Sequence, residues 1–522
     1  MANSQEKSRV SILFTSAKMA VATLCSRVLG LVREQLIAAT FGASGLTDAF
    51  YVAYRIPNLL RDLFAEGAFS SAFVPIFTES KIKENSKETF QAAFWTLLII
   101  TGFFSTLIFF ASPALVEFVA PSFKTDPEKY KLTILMVRII SPFLLCISLA
   151  ALLMGVLNTY KVFFLPAITP AFLNICVICS ILFLSSHLES IGYNSIISIA
   201  IGVLIGGILQ FFIQLPSVIK KGYSFSFPKK LFTKNVKRIL MKMGPGMLGF
   251  SVNQVNLLVN TILATSSGVV GALSFLNWGF RLFQFPNGVL SVSLGNSHLV
   301  HFSEKWKNNK KSDAIDLFQS TITLTLTLLI PITIVILVFP DWISSIVFER
   351  GQFSRSDTFN TAEVLFYYAL SLPFYGLYKI TVPLFYSIDK EKIPVLTSII
   401  SILVNIIFAL SFINDLGFIV LAMSLSLATA CNLCMQLVFL KKYLNLKTSF
   451  FLNLKYLRLI FSGFVSCLFA LYLKSKQPNM LDEPIFQKLL FFLSFSILIL
   501  AVFLLVIFVL GERNFIYKFR KK

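Results

Sequence analysis

Long blocks of Ile, Leu, Val and Phe, each broken by a short polar, Pro or Gly segment, run the length of this chain. A helix that crosses a bilayer needs about 20 mostly apolar residues. The punctuation predicts fourteen such spans, at about 11–41, 47–78, 89–111, 132–158, 166–186, 193–216, 240–265, 269–299, 315–339, 360–387, 394–413, 417–440, 454–473 and 486–510. The expected fold is an all-α polytopic membrane protein. The first block is too long for the apolar core of a cleavable signal peptide. Span 2 is too long for one straight crossing and carries Pro57 and Gly67, so a bend or break is expected there.

Charge refines the topology. The connections alternate between basic and acidic. One set holds Lys81, Lys83 and Lys87; Lys161; the eight bases from Lys220 to Lys242; Lys305 to Lys311; Lys390 and Lys392; and Lys441 to Lys455. The other set holds most of the loop acids, among them Glu117, Asp126, Glu189, Asp341, Glu349, Asp415 and Asp482. The positive-inside rule puts the basic set and both termini in the cytoplasm. An even number of spans requires the same. The net charge of +21 is therefore read as membrane topology, not as a nucleic-acid surface. With 56% hydrophobic and 14% charged residues the chain departs from soluble domains, which sit near about 25% charged. The loops are short, which leaves no room for a catalytic domain, so a transporter is expected and not an enzyme. No nucleotide-binding loop or redox-cofactor motif occurs. Energy is expected from the membrane potential or a cation gradient, with no cofactor.

The seven cysteines all lie in apolar runs. Two CxxC pairs, Cys176/Cys179 and Cys431/Cys434, lack nearby His or acidic partners and read as packing residues, so no metal site is expected. His298 and His301 read as interfacial. Gly202 and Gly206 form a small-xxx-small packing pair. The stretch 47–60 (TDAFYVAYRIPNLL) matches 276–290 (LNWGFRLFQFPNGVL), aligning Pro57 with Pro286 and Asp48 with Asn277. A repeat offset by six spans predicts two lobes of the same orientation, related by a pseudo-two-fold axis along the membrane normal. The expected divisions are 1–217 for the first lobe, 218–239 for a basic cytoplasmic linker, 240–441 for the second lobe and 442–522 for two further helices and a tail.

Charges inside the spans carry the functional signal, because each costs at least about 2.5 kcal/mol in mid-bilayer. They are unevenly spread. Span 1 has Lys18, Arg27, Arg33 and Glu34; span 2 has Asp48, Arg55, Arg61, Asp62 and Glu66; span 4 has Arg138, span 8 Arg281, span 10 Lys379 and span 13 Arg458. Arg27 and Glu34 are seven apart and share a helix face, with Arg33 about a third of a turn away. Internal pairing, such as Arg27 with Glu34, is the conservative reading. The sharper one is a hydrated central cavity lined by spans 1, 2 and 8. Its excess of arginine suits bidentate contact with phosphate or carboxylate, and an anionic substrate follows.

The stretches SRVLGLVREQ (26–35), FGASGLTDAFYVAYRIPNLLRDLFAEGAFSSAFVPIF (41–77), MGPGMLGFSVNQVNLLVNTILA (243–264) and FRLFQFPNGVLSVSLG (280–295) resemble the MurJ (MviN) lipid II flippases. That family belongs to the multidrug/oligosaccharidyl-lipid/polysaccharide (MOP) exporter superfamily. The resemblance covers essentially the whole chain. It implies movement of the undecaprenyl-pyrophosphate-linked peptidoglycan precursor, lipid II, from the cytoplasmic to the periplasmic leaflet of a bacterial inner membrane by alternating access. It implies lobes made of spans 1–6 and 7–12, with spans 13 and 14 forming a groove for the lipid tail. It assigns substrate contacts to Arg27, Arg33, Arg61, Arg281 and Asn174, and gating or coupling roles to Glu34, Asp48 and Glu66, with Arg55 and Lys379 as further candidates. Its partners would be lipid II, membrane lipids and cell-wall synthesis or division machinery. Departures are Phe280 directly before Arg281, Gln284 in place of a further acid, and Asn260 near a position where some relatives carry a sodium-site acid. The alternatives are a flippase for another polyprenyl-linked saccharide and a cation-coupled drug exporter. Arginines should repel the cationic cargo of the latter.

Overall fold

The computed structural model describes residues 2–61, 68–451 and 453–511, and its contacts divide it into two compact units, 1–274 and 275–522. Apart from short 3-10 turns, every regular element among the described residues is α-helical.

The first unit holds α1 (Ala2–Phe41), α2 (Gly45–Arg61), α3 (Ala68–Ile82), α4 (Ser86–Val119), α5 (Pro127–Ile140), α6 (Phe143–Thr159), α7 (Phe164–Ser190), α8 (Ile197–Ile219), α9 (Lys234–Ser266) and the first turn of α10 (Ala272–Lys307). Local chemistry sets the boundaries. Gly42 ends α1 at φ 61, a backbone region that costs glycine no steric strain, and its carbonyl accepts from Thr47 Oγ1 at 2.7 Å to start the next helix. Asp126 caps α5 by accepting from the amide of Lys129, with Pro127 in the first helical position. Thr233 caps α9 in the same way. Pro142 separates α5 from α6 within one apolar span of 33 residues. Pro57 lies inside α2 and does not interrupt it, and Pro286 likewise lies inside α10. Gly67, the other expected breaking point, falls outside the described residues.

Two kinds of packing hold this unit. A column of stacked rings, Phe69, Phe73 and Phe77 on α3, has centroids 5.2 and 4.9 Å apart and fills the space between α4, α6 and α9. Elsewhere helices meet almost backbone to backbone. A Cβ on Gly202 would lie 2.8 Å from Val177 Cα, one on Gly206 2.9 Å from Leu173 Cα, and one on Gly207 2.5 Å from the Phe143 ring. The small-residue pair of α8 is thus a seam against α7, extended by Gly207 onto α6. The sequence reading assigns α9 to the second lobe; here it packs against α3 and α4.

The second unit continues through α11 (Lys311–Val338), α12 (Pro340–Phe348), α13 (Arg355–Ala369), α14 (Leu372–Ser387), α15 (Lys392–Leu416), α16 (Val420–Tyr443), α17 (Thr448–Phe451), α18 (Leu454–Ser475) and α19 (Ile485–Val509). A capping box between Ser354 and Asp357 starts α13. Gly417, at φ 61, turns α15 back onto α16. The hairpin α18–α19 lies on α11 through Leu459, Phe503, Ile507, Leu326 and Ile330. A polar clamp fixes its far end. Arg355 donates to Glu349 at 2.6 Å, to Asp482 at 3.2 Å and to the Leu481 carbonyl at 2.5 Å, while Lys474 reaches Asp341 at 2.8 Å. Burial would raise the Glu349 carboxyl, but hydrogen bonds from Ser345, Arg355 and Thr358 outweigh it and hold it below its ordinary value.

Eight segments of the described chain are long and apolar enough to cross a membrane, one of them (392–443) containing both α15 and α16. The other expected crossings correspond to α1, α2–α3, α9, α10 and α13–α14.

Candidate functional site

A buried polar cluster inside the helices of the first unit is built on α1. Its Arg33 and Glu34 are consecutive, so their Cα–Cβ directions differ by about 100°. Both side chains nevertheless bend into the crevice between α1, α2 and α7. One terminal nitrogen of Arg33 donates to Glu34 Oε1 at 2.5 Å, and the other to Asn174 Oδ1 of α7 at 3.0 Å. The second oxygen of Glu34 accepts from the Tyr51 hydroxyl of α2 at 2.8 Å. Asn174 completes the cluster by donating its amide to the Ser26 carbonyl at 3.1 Å. Three helices thus converge on one ion pair, with Glu34 3% exposed. The Arg33 Nε–H is buried without a hydrogen-bond partner. A buried charge-assisted pair of this kind is costly to desolvate and costly to break by removing one member.

Glu34 therefore pairs with its neighbour Arg33, not with Arg27 seven residues earlier. Arg27 is solvent-accessible on α1 and has no ion-pair partner among the described residues. Tyr51 was not singled out by sequence, although it shares the α2 face of Asp48 and Arg55 at a three- and four-residue spacing.

Asp48 forms a second centre in the same unit. Its Oδ2 accepts from the Gly271 amide at 2.8 Å, and its Oδ1 from the Ser274 amide at 3.0 Å and hydroxyl at 2.7 Å. The carboxylate thus caps the start of α10, where unpaired N–H groups and the positive end of the helix dipole favour an anion. Gly271, at φ 85, sits against Ala43, whose carbonyl a Cβ at that position would meet at 2.6 Å. Arg55 and Arg61 lie half-buried on α2. Glu66, with Asp62, lies outside the described residues. In the second unit, Arg281 is exposed on α10 and Lys379 sits half-buried on α14, 5.1 Å from the Tyr375 ring centroid and 5.8 Å from that of Tyr378. Of the predicted residues, the structure brings Arg33, Glu34 and Asn174 together. No group of His, Cys, Asp and Glu suited to a metal ion occurs among the described residues.

Bilayer-length helices with a charged cluster held among them define a polytopic membrane transporter. Comparison with known proteins makes this particular. The family model described as lipid II flippase MurJ matches residues 37–492. The chain is 34% identical over 417 residues to the probable lipid II flippase MurJ of Rickettsia prowazekii, covering 80% of this chain and 81% of that one. It is 35% identical over 427 residues to the lipid II flippase MurJ of Burkholderia cenocepacia, covering 80% and 82%. A solved structure of a lipid II flippase MurJ in an inward closed conformation superposes with a TM-score of 0.77 at 27% identity, over 93% of this chain and 97% of that one. An inward-facing multidrug resistance MATE transporter of the MOP superfamily shares the fold alone, with a TM-score of 0.65 at 11% identity over 80% and 94%. The chain belongs to the lipid II flippase MurJ family, whose members are transporters and not enzymes.

Proposed function

We propose that this chain carries lipid II from the cytoplasmic to the periplasmic leaflet of the inner membrane by alternating access, supplying a step of peptidoglycan synthesis. Both termini are assigned to the cytoplasm by the alternation of loop charge. The observation that carries the binding role is the Arg33 cluster. A guanidinium is kept inside the helices by Glu34 and Asn174 with its Nε–H unspent. A pyrophosphate offers the paired oxygens that an arginine fork matches, and with more charge than one carboxylate. On arrival it would take Arg33 from Glu34, which keeps its bond to Tyr51. Glu34 then acts as the placeholder that holds the arginine between substrates. Arg27, Arg61 and Arg281 are proposed as further head-group contacts, with Arg55 and Lys379 as lesser candidates, on charge and resemblance. Asp48 and Glu66 are proposed as gating or coupling acids. The drive is assigned to the transmembrane electrochemical gradient.

The test is a leaflet-accessibility assay with the purified chain in vesicles containing lipid II, with and without an imposed potential. Arg33→Ala should abolish transfer. Arg33→Lys, which keeps the charge but loses the fork, should lose most of it. Parent-level transfer by Arg33→Ala would refute the assignment. A flippase for another polyprenyl-linked saccharide would instead move that lipid in preference to lipid II under competition.

A further inference from the structure

The connection between α8 and α9, residues 220–233, is not a loose tether. Tyr223 is buried, and its hydroxyl meets that of Tyr160 at 2.9 Å and donates to Ser86 at 3.3 Å. Gln91 of α4 donates to the Ser224 and Ser226 hydroxyls at 2.8 and 2.7 Å. The Trp95 indole N–H reaches the Phe225 carbonyl at 3.1 Å, and Thr96 the Leu231 carbonyl at 3.4 Å. The segment is a strap tied to the flank of α4, not hung beyond its end.

Its depth follows from α4 itself. Thirty-four residues make a helix of roughly 51 Å, against a hydrocarbon layer of about 30 Å, which leaves about 10 Å at each end among head groups. Trp95 lies nine residues into α4, or about 14 Å, near the boundary that tryptophan favours. The outward side of the strap is two-natured. Phe227 and Phe232 are 65% and 59% exposed, and Lys229, Lys230 and Lys234 stand between and beside them. These three lysines have no ion-pair partner among the described residues, and residues 217–242 contain no acid at all. The Glu79 carboxylate is committed to Arg238 at 3.0 Å and Lys83 at 2.7 Å.

We propose that this strap is an interfacial anchor selective for anionic phospholipid, with Phe227 and Phe232 seated at the acyl boundary and Lys229, Lys230 and Lys234 bound to head-group phosphates. Unbalanced positive charge specifies an anionic partner, and exposed rings at interface depth specify a lipid surface and not a soluble one. The leaflet concerned is the cytoplasmic one by the positive-inside assignment.

The experiment uses the full-length chain in phosphatidylcholine vesicles doped with brominated phosphatidylglycerol or brominated phosphatidylcholine. Quenching of Trp95, whose ring centroid is 5.2 Å from that of Phe227, is obtained as the difference between the parent and Trp95→Phe. The parent should be quenched more strongly by the anionic lipid. With roughly fivefold preference per surface lysine, the combined Lys229→Gln, Lys230→Gln and Lys234→Gln variant should lose at least about tenfold of that preference. About 0.5 M salt should erode it in the parent. Phe227→Ser with Phe232→Ser should weaken quenching by both lipids alike. Equal quenching by the two lipids in the parent, which an acidic soluble partner would give, overturns the proposal. So does a preference that survives the triple substitution.

Discussion

Replacing Asp48 with Asn changes one atom's chemistry and leaves its shape. The native carboxylate accepts three hydrogen bonds, from the Gly271 amide and from the amide and hydroxyl of Ser274, at 2.7 to 3.0 Å and 4% exposure. An Asn that keeps its oxygen toward Ser274 must turn its NH2 toward the Gly271 N–H, setting donor against donor. One charge-assisted bond is lost, a buried N–H is stranded, and the interaction with the helix terminus disappears. Allowing for partial relaxation, the local cost is about 2 to 4 kcal/mol. Hydrogen exchange measured by mass spectrometry on the peptide containing residues 268–276 reads this directly. At 1.4 kcal/mol per decade, exchange of the Gly271 and Ser274 amides should quicken by roughly 30- to 700-fold. Asp126→Asn is the control, because Asn caps an exposed helix start as well as Asp does, and exchange there should barely change. If the Gly271 and Ser274 amides in Asp48→Asn exchange within threefold of the parent, the carboxylate is not what holds the start of α10.

Two glycines in apolar helices should respond in opposite directions to the same substitution. Gly206→Ala would put its Cβ 2.6 Å from a Leu173 methyl and 2.9 Å from Leu173 Cα, so α7 and α8 must part, at about 1 to 3 kcal/mol and a lower unfolding temperature in detergent. Gly102→Ala, with no atom within 4 Å of the new methyl, should gain up to about 1 kcal/mol from helix propensity and unfold no earlier than the parent. Glu79 should titrate near 2, because hydrogen bonds from Arg238 and then Lys83 hold it below the ordinary 4.5. Whatever stability it lends is complete above pH 4.5 and fades as pH falls toward 2, and Arg238→Gln should move the titration back toward 4.5 in a carbon-detected NMR experiment on labelled glutamate.

The apolar blocks were legible because hydrocarbon imposes a length and forbids charge, and residues that break the rule announce themselves. That is how Arg33, Glu34 and Asp48 were found, whereas Asn174 came only from the family resemblance. Which charges meet was not legible. Helical spacing paired Arg27 with Glu34, whereas long side chains on adjacent residues can bend into one crevice when Asn174 and Tyr51 wait there from other helices. Nothing local to Asp48 pointed to Gly271 and Ser274, which lie more than 220 residues away. The basic segment after α8 read as a linker because composition records its lysines but not the bonds from Gln91, Trp95 and Asn235 that tie it down. The family resemblance supplied the cargo class, which no spacing encodes.

The close seam of α6, α7 and α8 also sets a mechanical rule. Advancing α8 by one residue would shift it about 1.5 Å and turn it about 100°. Ile205 or Gly207 would then face Leu173 where Gly206 now sits, and the bulk of Ile205 has no room there. The three helices are keyed like teeth and cannot slide past one another in small increments. Any motion that opens a path across the membrane must carry them as one rigid piece, and the bending must be taken up elsewhere in the chain.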